Sequence, residues 1–180
     1  MRTFLQSITG ARAPLPPRLP AKQILLAGLG GALAISLLAS LTRLSGTPLV
    51  LGSFGASCVF IFGLPEAPFS QPRNVIGGHF ISSAIGLAVH ALCGSHPWAL
   101  GLALGLAIML MFATRMVHAP AGSNPVIVFL TAPGWDFLLT PTLLGACGLV
   151  LIALIYHHAT SPGRYPSYWW GREAKVPSPS

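Results

Sequence analysis

Two short segments of the chain combine small residues with polar ones in a way that could bind an anion. The first reads Gly52-Ser53-Phe54-Gly55-Ala56-Ser57, and the second reads Ala121-Gly122-Ser123-Asn124. Small residues let a ligand reach backbone N–H groups, and a helix that begins there offers unpaired donors and a positive dipole end. Close helix packing through small residues, as with Gly52 and Ala56, is the alternative. The candidate substrate-binding residues here are Gly52, Ser53, Gly55, Ser57, Gly122, Ser123 and Asn124.

Two arginines next to apolar segments form a second group of candidates. Arg73 precedes Asn74, and Arg115 lies three residues before His118. An ionisable group beside a membrane-embedded segment is costly, and an Arg fork can hold two oxygens of a small planar anion. Anchoring at the membrane edge is the alternative for both arginines.

Two histidines could exchange protons near neutral pH, where imidazole titrates. His79 lies one turn before Ser82 and Ser83, and we expect His118 to cap a long helix that starts at Trp98. Either residue could serve transport that is coupled to H⁺, or could make only a structural hydrogen bond. The remaining histidines lie nearer the predicted helix ends, and we expect them at the membrane interface: His90, His96, His157 and His158.

The sequence does not indicate an enzyme, a metal site or a cofactor. Glu66 and Asp136 are the only acids between residues 24 and 160, and neither has a histidine at metal-ligand spacing. No nucleophile elbow, zinc-binding HExxH motif or P-loop is found. Cys58, Cys93 and Cys147 lie singly in apolar segments, and we interpret them as small packing residues.

The elements that must position these residues are transmembrane helices. Of the 180 residues, 53% are hydrophobic and 7% are charged, and the mean hydropathy is +0.71. A soluble domain carries about 25% charged residues. Uncharged runs of crossing length predict six membrane-embedded helices, of which Pro48 to Gly63 and Ala121 to Gly134 are short and rich in Gly, Ser, Asn and Pro. Such backbone survives at membrane depth only where protein or a water-filled cavity covers it, so we place the functional interior there.

The charges predict the topology of an all-α, multi-pass protein of the cell (inner) membrane. Residues 1–23 form an N-terminal tail, 24–160 the transmembrane domain, and 161–180 a C-terminal tail. Lys and Arg flank the first and last spans, so both tails should be cytoplasmic. The charge distribution favours six crossings over four crossings with re-entrant segments. The net charge of +7 is therefore attributed to topology, and the partner is the lipid bilayer, not nucleic acid.

Aromatic residues of the C-terminal tail are predicted to form a belt at headgroup level. This belt contains Tyr165, Tyr168, Trp169 and Trp170, with Arg164 and Arg172 among them. Amphipathic rings and long cations both find partners at that depth.

The chain shows signs of a two-fold internal repeat of three helices. Gly55-Ala56-Ser57 can be aligned with Gly122-Ser123-Asn124, and Gly78 with Gly145, at offsets near 70 residues. The halves would cover about 24–94 and 98–158, although chance matching in apolar sequence is the alternative. Three crossings per half would make the halves inverted. A homo-oligomer is also expected, because six short helices bury little surface.

Three motifs together resemble the HPP family of small integral membrane proteins. They read P-F-S-Q-P-R-N-V-I-G-G-H-F-I-S-S-A-I-G at 68–86, R-M-V-H-A-P-A-G-S-N-P-V-I-V at 115–128, and L-G-S-F-G-A-S at 51–57. His118-Ala119-Pro120 departs from the His-Pro-Pro of the family. The resemblance implies a transporter or channel for a small inorganic anion, with nitrite favoured because family members have been linked to nitrite transport. A non-transporting scaffold or accessory subunit is the alternative.

Overall fold

A computed structural model describes residues 14–171, and within this range all regular structure is helical. The six α-helices are α1 (Ala21–Ser45), α2 (Gly52–Gly63), α3 (Pro72–Cys93), α4 (Pro97–Ala113), α5 (Asn124–Thr131) and α6 (Leu144–Thr160). Short 3₁₀ turns lie at Pro68–Ser70, Ala119–Ser123 and Trp135–Leu138, and a π-helical turn at Leu139–Leu143 leads into α6. The predicted all-α polytopic fold with two short helices is confirmed.

The helices differ in whether they are long enough to span a bilayer. Three helical stretches are long and apolar enough, namely Ala21–Ser45, Pro72–Cys93 and Trp135–Thr160. By contrast, α2 has 12 residues and α5 has 8. At about 1.5 Å per residue they extend only about 18 and 12 Å, against a hydrocarbon core about 30 Å thick. Neither α2 nor α5 can therefore cross the hydrocarbon core as a helix alone, and each needs adjoining non-helical backbone to make up the remaining distance.

Glycine and proline set several helix boundaries. Gly46 ends α1 in the left-handed conformation with φ of 70°, which favours glycine at that position. Pro72 and Pro97 occupy the first positions of α3 and α4, where the missing N–H breaks no helical hydrogen bond.

Contacts of α1 show the directions of α2 and α6. Near the start of α1, the Tyr156 hydroxyl donates to the Leu26 carbonyl (2.8 Å), and Gly30 faces Phe62. Near its end, Leu38 packs against Gly148. Because residues late in α2 and α6 meet the start of α1, both helices run antiparallel to it.

The direction continues to alternate through the second half of the chain. Arg73 at the start of α3 lies 3.4 Å from the Thr114 carbonyl after α4, so these helices are antiparallel. Asn124 contacts His79, and Phe129 packs on His90 further along α3, so α5 runs parallel to α3. Six alternating helices are what six crossings require.

Both described flanks of the helical domain lie at one end of the molecule. Leu19, Gln23, Glu66 and Arg164 line one cavity, which brings together the start of α1, the α2–α3 loop and the segment after α6. We call this the Glu66 end. The N-terminal residues 1–13 and the C-terminal residues 172–180, with Arg2, Arg12, Arg172 and Lys175, lie outside the described residues.

The segment between α4 and α5, which is extended backbone followed by the 3₁₀ turn at Ala119–Ser123, packs against α3. A methyl group added at Gly78 would lie 2.7 Å from His118 Cβ and 3.0 Å from the Met116 carbonyl oxygen, so only glycine allows this approach. The Ser82 hydroxyl donates to the Ala121 carbonyl at 2.6 Å. His118 lies in this segment and does not cap α4, which ends at Ala113 because the chain turns out of the helix at Arg115 with φ of 56°.

The segment before α2, in the first half of the chain, makes an equivalent contact with α6. A methyl group added at Gly145 would lie 2.5 Å from the Leu49 carbonyl oxygen. Gly145 and Met116 each lie 67 residues beyond Gly78 and Leu49, so in each half a glycine receives the non-helical segment of the other half. The helices also follow the order long, short, long twice. Both observations favour the internal repeat, which stays a hypothesis.

The segment after α6 folds back over the Glu66 end. Gln71 is fully buried, and its Oε1 accepts the backbone N–H of Ser167 at 2.8 Å. The Arg73 guanidinium lies 5.2 Å from the centre of the Trp170 ring. Tyr165 is only 6% exposed and packs against His157, so it is not a belt residue. Burial of the Tyr165 phenol raises its pKa.

Candidate functional site

A continuous chain of hydrogen bonds joins six buried polar side chains, which we call the buried network. Its members come from α2, α3, the segment before α5, α5 itself and the turn before α6, and each has no solvent exposure. They are Ser57, His79, Ser83, His118, Asn124 and Thr142. Burying polar groups is costly unless they are paired, so the network must form as a unit.

At one end of the network, the contacts define the tautomer of His118. Its Nδ1 lies 2.6 Å from the Phe69 carbonyl oxygen, which can only accept a hydrogen bond. Nδ1 therefore carries a proton, and in the neutral ring Nε2 is an acceptor. The Ser57 hydroxyl, at 2.8 Å from Nε2, is its donor.

The contacts of Asn124 define the tautomer of His79. Asn124 Nδ2 lies 3.1 Å from His79 Nδ1 and 2.9 Å from Ser83 Oγ. An amide nitrogen only donates, so Nδ1 of neutral His79 accepts and its Nε2–H donates to Ser57 Oγ at 3.0 Å. Beyond Asn124, Ser83 Oγ is 3.1 Å from Thr142 Oγ1.

Aromatic rings pack around the two imidazoles. The rings of His79 and His118 are 4.9 Å apart, and Phe54 presents a T-shaped contact to His79 at 5.0 Å. The two histidines are the titratable members of the network, and no acidic side chain contacts either of them among residues 14–171. Two buried atoms beside this network, Ser53 Oγ and Asn124 Oδ1, have no hydrogen-bond partner and could take a ligand or water.

The structure brings four of the predicted site residues into direct contact, namely Ser57, His79, His118 and Asn124. Ser53 adjoins them, because its carbonyl oxygen lies 3.1 Å from Ser57 Oγ. These five residues come from segments that are far apart in the sequence, and the two short helices each contribute to the cluster.

Four other candidates from the small-residue segments lie outside the buried network. Gly52 is exposed, and Gly55 lines an apolar groove of about 460 Å³ between α1 and α2. Gly122 is half-buried, and the exposed Ser123 donates to the Pro120 carbonyl at 2.8 Å. Their positions agree better with helix packing and turn formation than with ligand contact.

The remaining candidates lie near the Glu66 end. Arg73 is half-buried between the Thr114 carbonyl and the Trp170 ring. Asn74 is buried and donates to the Pro68 carbonyl at 2.8 Å, while its Oδ1 has no partner. Arg115 is exposed, so its side chain is not part of the buried network.

Sequence reasoning missed several members of the polar interior. Ser83 follows His79 by four residues on α3, which is a detectable signal for a shared helix face. Thr142 offered no such signal, because its contact depends on the turn before α6. His157 is not interfacial: it is 4% exposed, and its Nε2–H donates to the Ile61 carbonyl at 3.0 Å. No group of three metal-ligating side chains occurs in the described part of the chain.

Comparisons with known proteins agree with this membrane architecture. A family model described as the HPP transmembrane region matches residues 16–166. A transmembrane protein of Dictyostelium discoideum is 35% identical over 168 residues, covering 88% of this chain and 59% of the relative. A second transmembrane protein of that organism is 36% identical over 132 residues, covering 69% of this chain and 42% of the relative.

The chain thus spans 59% and 42% of the lengths of these two relatives. No solved structure matches the chain. Because the family model covers most of the sequence and the helices are long and apolar enough to cross a bilayer, the chain belongs to the HPP family of transmembrane proteins.

Proposed function

We propose that this protein is a transporter or channel for a small inorganic anion, with nitrite favoured, and that it is not an enzyme. The observation that carries the proposal is the buried network of Ser57, His79, His118 and Asn124 inside a transmembrane domain. Polar and ionisable residues at membrane depth are expensive and typically line substrate pathways. The polar residues of this domain concentrate where both short helices meet α3.

The two short helices resemble the interrupted helices of transporters. In many transporter folds, discontinuous helices from two repeats meet near the bilayer midplane and direct their N-terminal dipole ends at anionic groups. Here Ser57 of α2 and Asn124 at the start of α5 both contact His79. The non-helical backbone before α5 is covered by α3, as membrane depth requires.

The charges and donors favour an anion over a cation. The Ser53 hydroxyl beside the network has no partner and could donate to an anion, and the hydroxyl, amide and imidazole N–H groups of the network could do so where they release their present partners. Arg73 contacts the Thr114 carbonyl and Arg115 is the next residue in the chain, so both charges lie at the Glu66 end, where they would attract anions. Nitrite is favoured among small anions through the family resemblance. The Lys and Arg flanks further suggest a cell (inner) membrane with both termini cytoplasmic.

Uptake into reconstituted vesicles tests this proposal. Asn124→Leu removes the donor to both His79 and Ser83, and we expect it to lower nitrite uptake by about 5- to 150-fold, because an unpaired buried polar group costs about 1–3 kcal/mol. The matched control is Thr131→Val on the same helix, whose exposed hydroxyl donates only to the Ile127 carbonyl. The control should transport like the wild type.

The proposal would be contradicted if, for each of nitrite, nitrate, formate and chloride, vesicles with the protein took up no more anion than vesicles without it. That result would favour the alternative of a scaffold or accessory subunit. The apolar groove lined by Gly28, Gly31 and Gly55 supports this alternative, because small residues allow close approach of another helix. The same groove supports the proposed homo-oligomer.

A further inference from the structure

We propose that His118 binds one proton together with each transported anion, so that the protein moves an anion and H⁺ in the same direction. This inference rests on the proposed anion transport and adds its coupling ion. The geometry points to a hydroxyl switch at Ser57, whose proton can be donated to either of two acceptors. The switch lets the network gain a proton without losing a hydrogen bond.

In the neutral state the Ser57 hydroxyl donates to His118 Nε2 (2.8 Å) and accepts from His79 Nε2–H (3.0 Å). His118 Nδ1–H donates to the Phe69 carbonyl. All four ring nitrogens of the two histidines then have a partner of the correct kind.

A proton added to His118 Nε2 turns this nitrogen from an acceptor into a donor. Ser57 Oγ then accepts from both His118 and His79, and its own hydrogen needs another acceptor. The Ser53 carbonyl oxygen lies 3.1 Å from Ser57 Oγ and can take it. One N–H bond forms at His118 with a proton from solution, the Ser57 O–H bond stays intact, and no contact is lost.

His79 lacks an equivalent second arrangement. A proton added to His79 Nδ1 would point at Asn124 Nδ2, which is itself a donor 3.1 Å away. If the Asn124 amide turned round, Ser83 could donate to Oδ1, but the His79 carbonyl would lose its donor and Nδ2 would move to a position that has no acceptor. The geometry therefore assigns the proton to His118.

Charge supplies the link to the anion. A protonated His118 would be a buried cation, and its contacts are Ser57 from α2, His79 and Gly78 from α3, and the Phe69 carbonyl from the preceding loop. None of these groups is acidic, and Arg115, the charged residue nearest to His118 in the sequence, has the same sign. An anion bound beside the network would neutralise the cation, and the loaded site would carry no net charge.

Two measurements on the full chain in lipid vesicles separate coupling from transport itself. Exchange of labelled nitrite at equal internal and external pH measures transport alone. Accumulation under an acidic exterior, with the voltage clamped at zero by K⁺ and valinomycin, measures coupling. For one proton per anion, wild-type protein should accumulate nitrite about tenfold per pH unit, which corresponds to about 1.4 kcal/mol. Protein-free vesicles correct for diffusion of the undissociated acid.

His118→Gln keeps an amide donor and acceptor but cannot bind a proton. Because His118 belongs to the proposed site, exchange at equal pH is expected to fall as well, but any exchange that remains should be uncoupled from H⁺, so that the protein-dependent part of the accumulation is lost. His90→Gln is the matched control, because His90 lies further along α3 and bonds to Ser95 outside the network. It should accumulate nitrite like the wild type.

Wild-type accumulation by His118→Gln would overturn the assignment of the proton to His118. Accumulation by wild-type protein that follows voltage and not pH would overturn the coupling, whereas absent exchange in the wild type would refute the proposed transport as well. If His118→Gln does not fold or does not exchange nitrite, the external pH during wild-type uptake decides whether transport is coupled to H⁺: protein-dependent alkalinisation supports coupling, and constant pH refutes it.

Discussion

Individual residues of the interior are specified by hydrogen bonding and by close approach. Ser57 is central to the network because one hydroxyl group lies within 3.1 Å of two imidazoles and a carbonyl oxygen. Gly78 has an equally specific role, because the absence of its side chain lets the backbone of Met116 and the side chain of His118 approach α3. Gly78 thus allows His118 to lie close against α3.

Gly78→Ala should destabilise the protein by about 1–3 kcal/mol, the usual cost of overpacking a tight site. The added methyl group would meet His118 Cβ at 2.7 Å and a backbone carbonyl at 3.0 Å, and backbone cannot move aside easily. A lower Tm in detergent is the expected result. Gly105→Ala on α4 is the matched control, since nothing lies within 4 Å of its added methyl group. Equal Tm values for both variants would show that the segment before α5 is not tightly packed.

At the scale of elements, the segment after α6 holds together the loops of the Glu66 end. Gln71 donates to the Pro65 and Ala67 carbonyls at 2.9 and 3.0 Å while accepting from Ser167. Arg164 and Glu66 form an ion pair at 2.7 Å, but both side chains are substantially exposed. A fully buried amide is therefore expected to matter more to this arrangement than an exposed ion pair.

Gln71→Ala should loosen the segment after α6, because it leaves buried carbonyls and an N–H group without partners at a cost of about 1–3 kcal/mol. Faster proteolysis at residues 161–171 is the measurement. Glu66→Gln is the control, and its effect should be small because exposed ion pairs contribute about 0–1 kcal/mol. Faster cleavage in Glu66→Gln than in Gln71→Ala would reverse this ranking.

At the scale of the whole molecule, six helices of alternating direction place the described flanks and the α2–α3 loop together at the Glu66 end. The α3–α4 turn, which contains the exposed Ser95, lies at the opposite end. Neither short helix could cross a bilayer alone; α2 packs against α1 and α6, and α5 packs against α3 and α4.

Cysteine labelling in intact cells tests this arrangement. In a background without Cys58, Cys93 and Cys147, single cysteines at the exposed positions Pro162 and Ser95 should react from opposite sides of the membrane. We expect Pro162→Cys to be protected from an impermeant reagent and Ser95→Cys to react with it. Labelling of both positions from one side would contradict six crossings, and the opposite pattern would reverse the proposed orientation.

The sequence by itself determined the membrane-embedded helices, because hydrophobic run length and the positions of Pro and Gly act locally along the chain. It also placed Ser57, His79, His118 and Asn124 among the candidates. Only the tertiary structure decided that these four residues touch while Arg115 stays outside, since Ser57 and His118 are 61 residues apart in the chain. It also decided that His157 and Tyr165 are buried, because their burial depends on how the segment after α6 packs. Periodicity and composition describe which surfaces are apolar, whereas pairings between distant polar atoms depend on close packing of several helices at once.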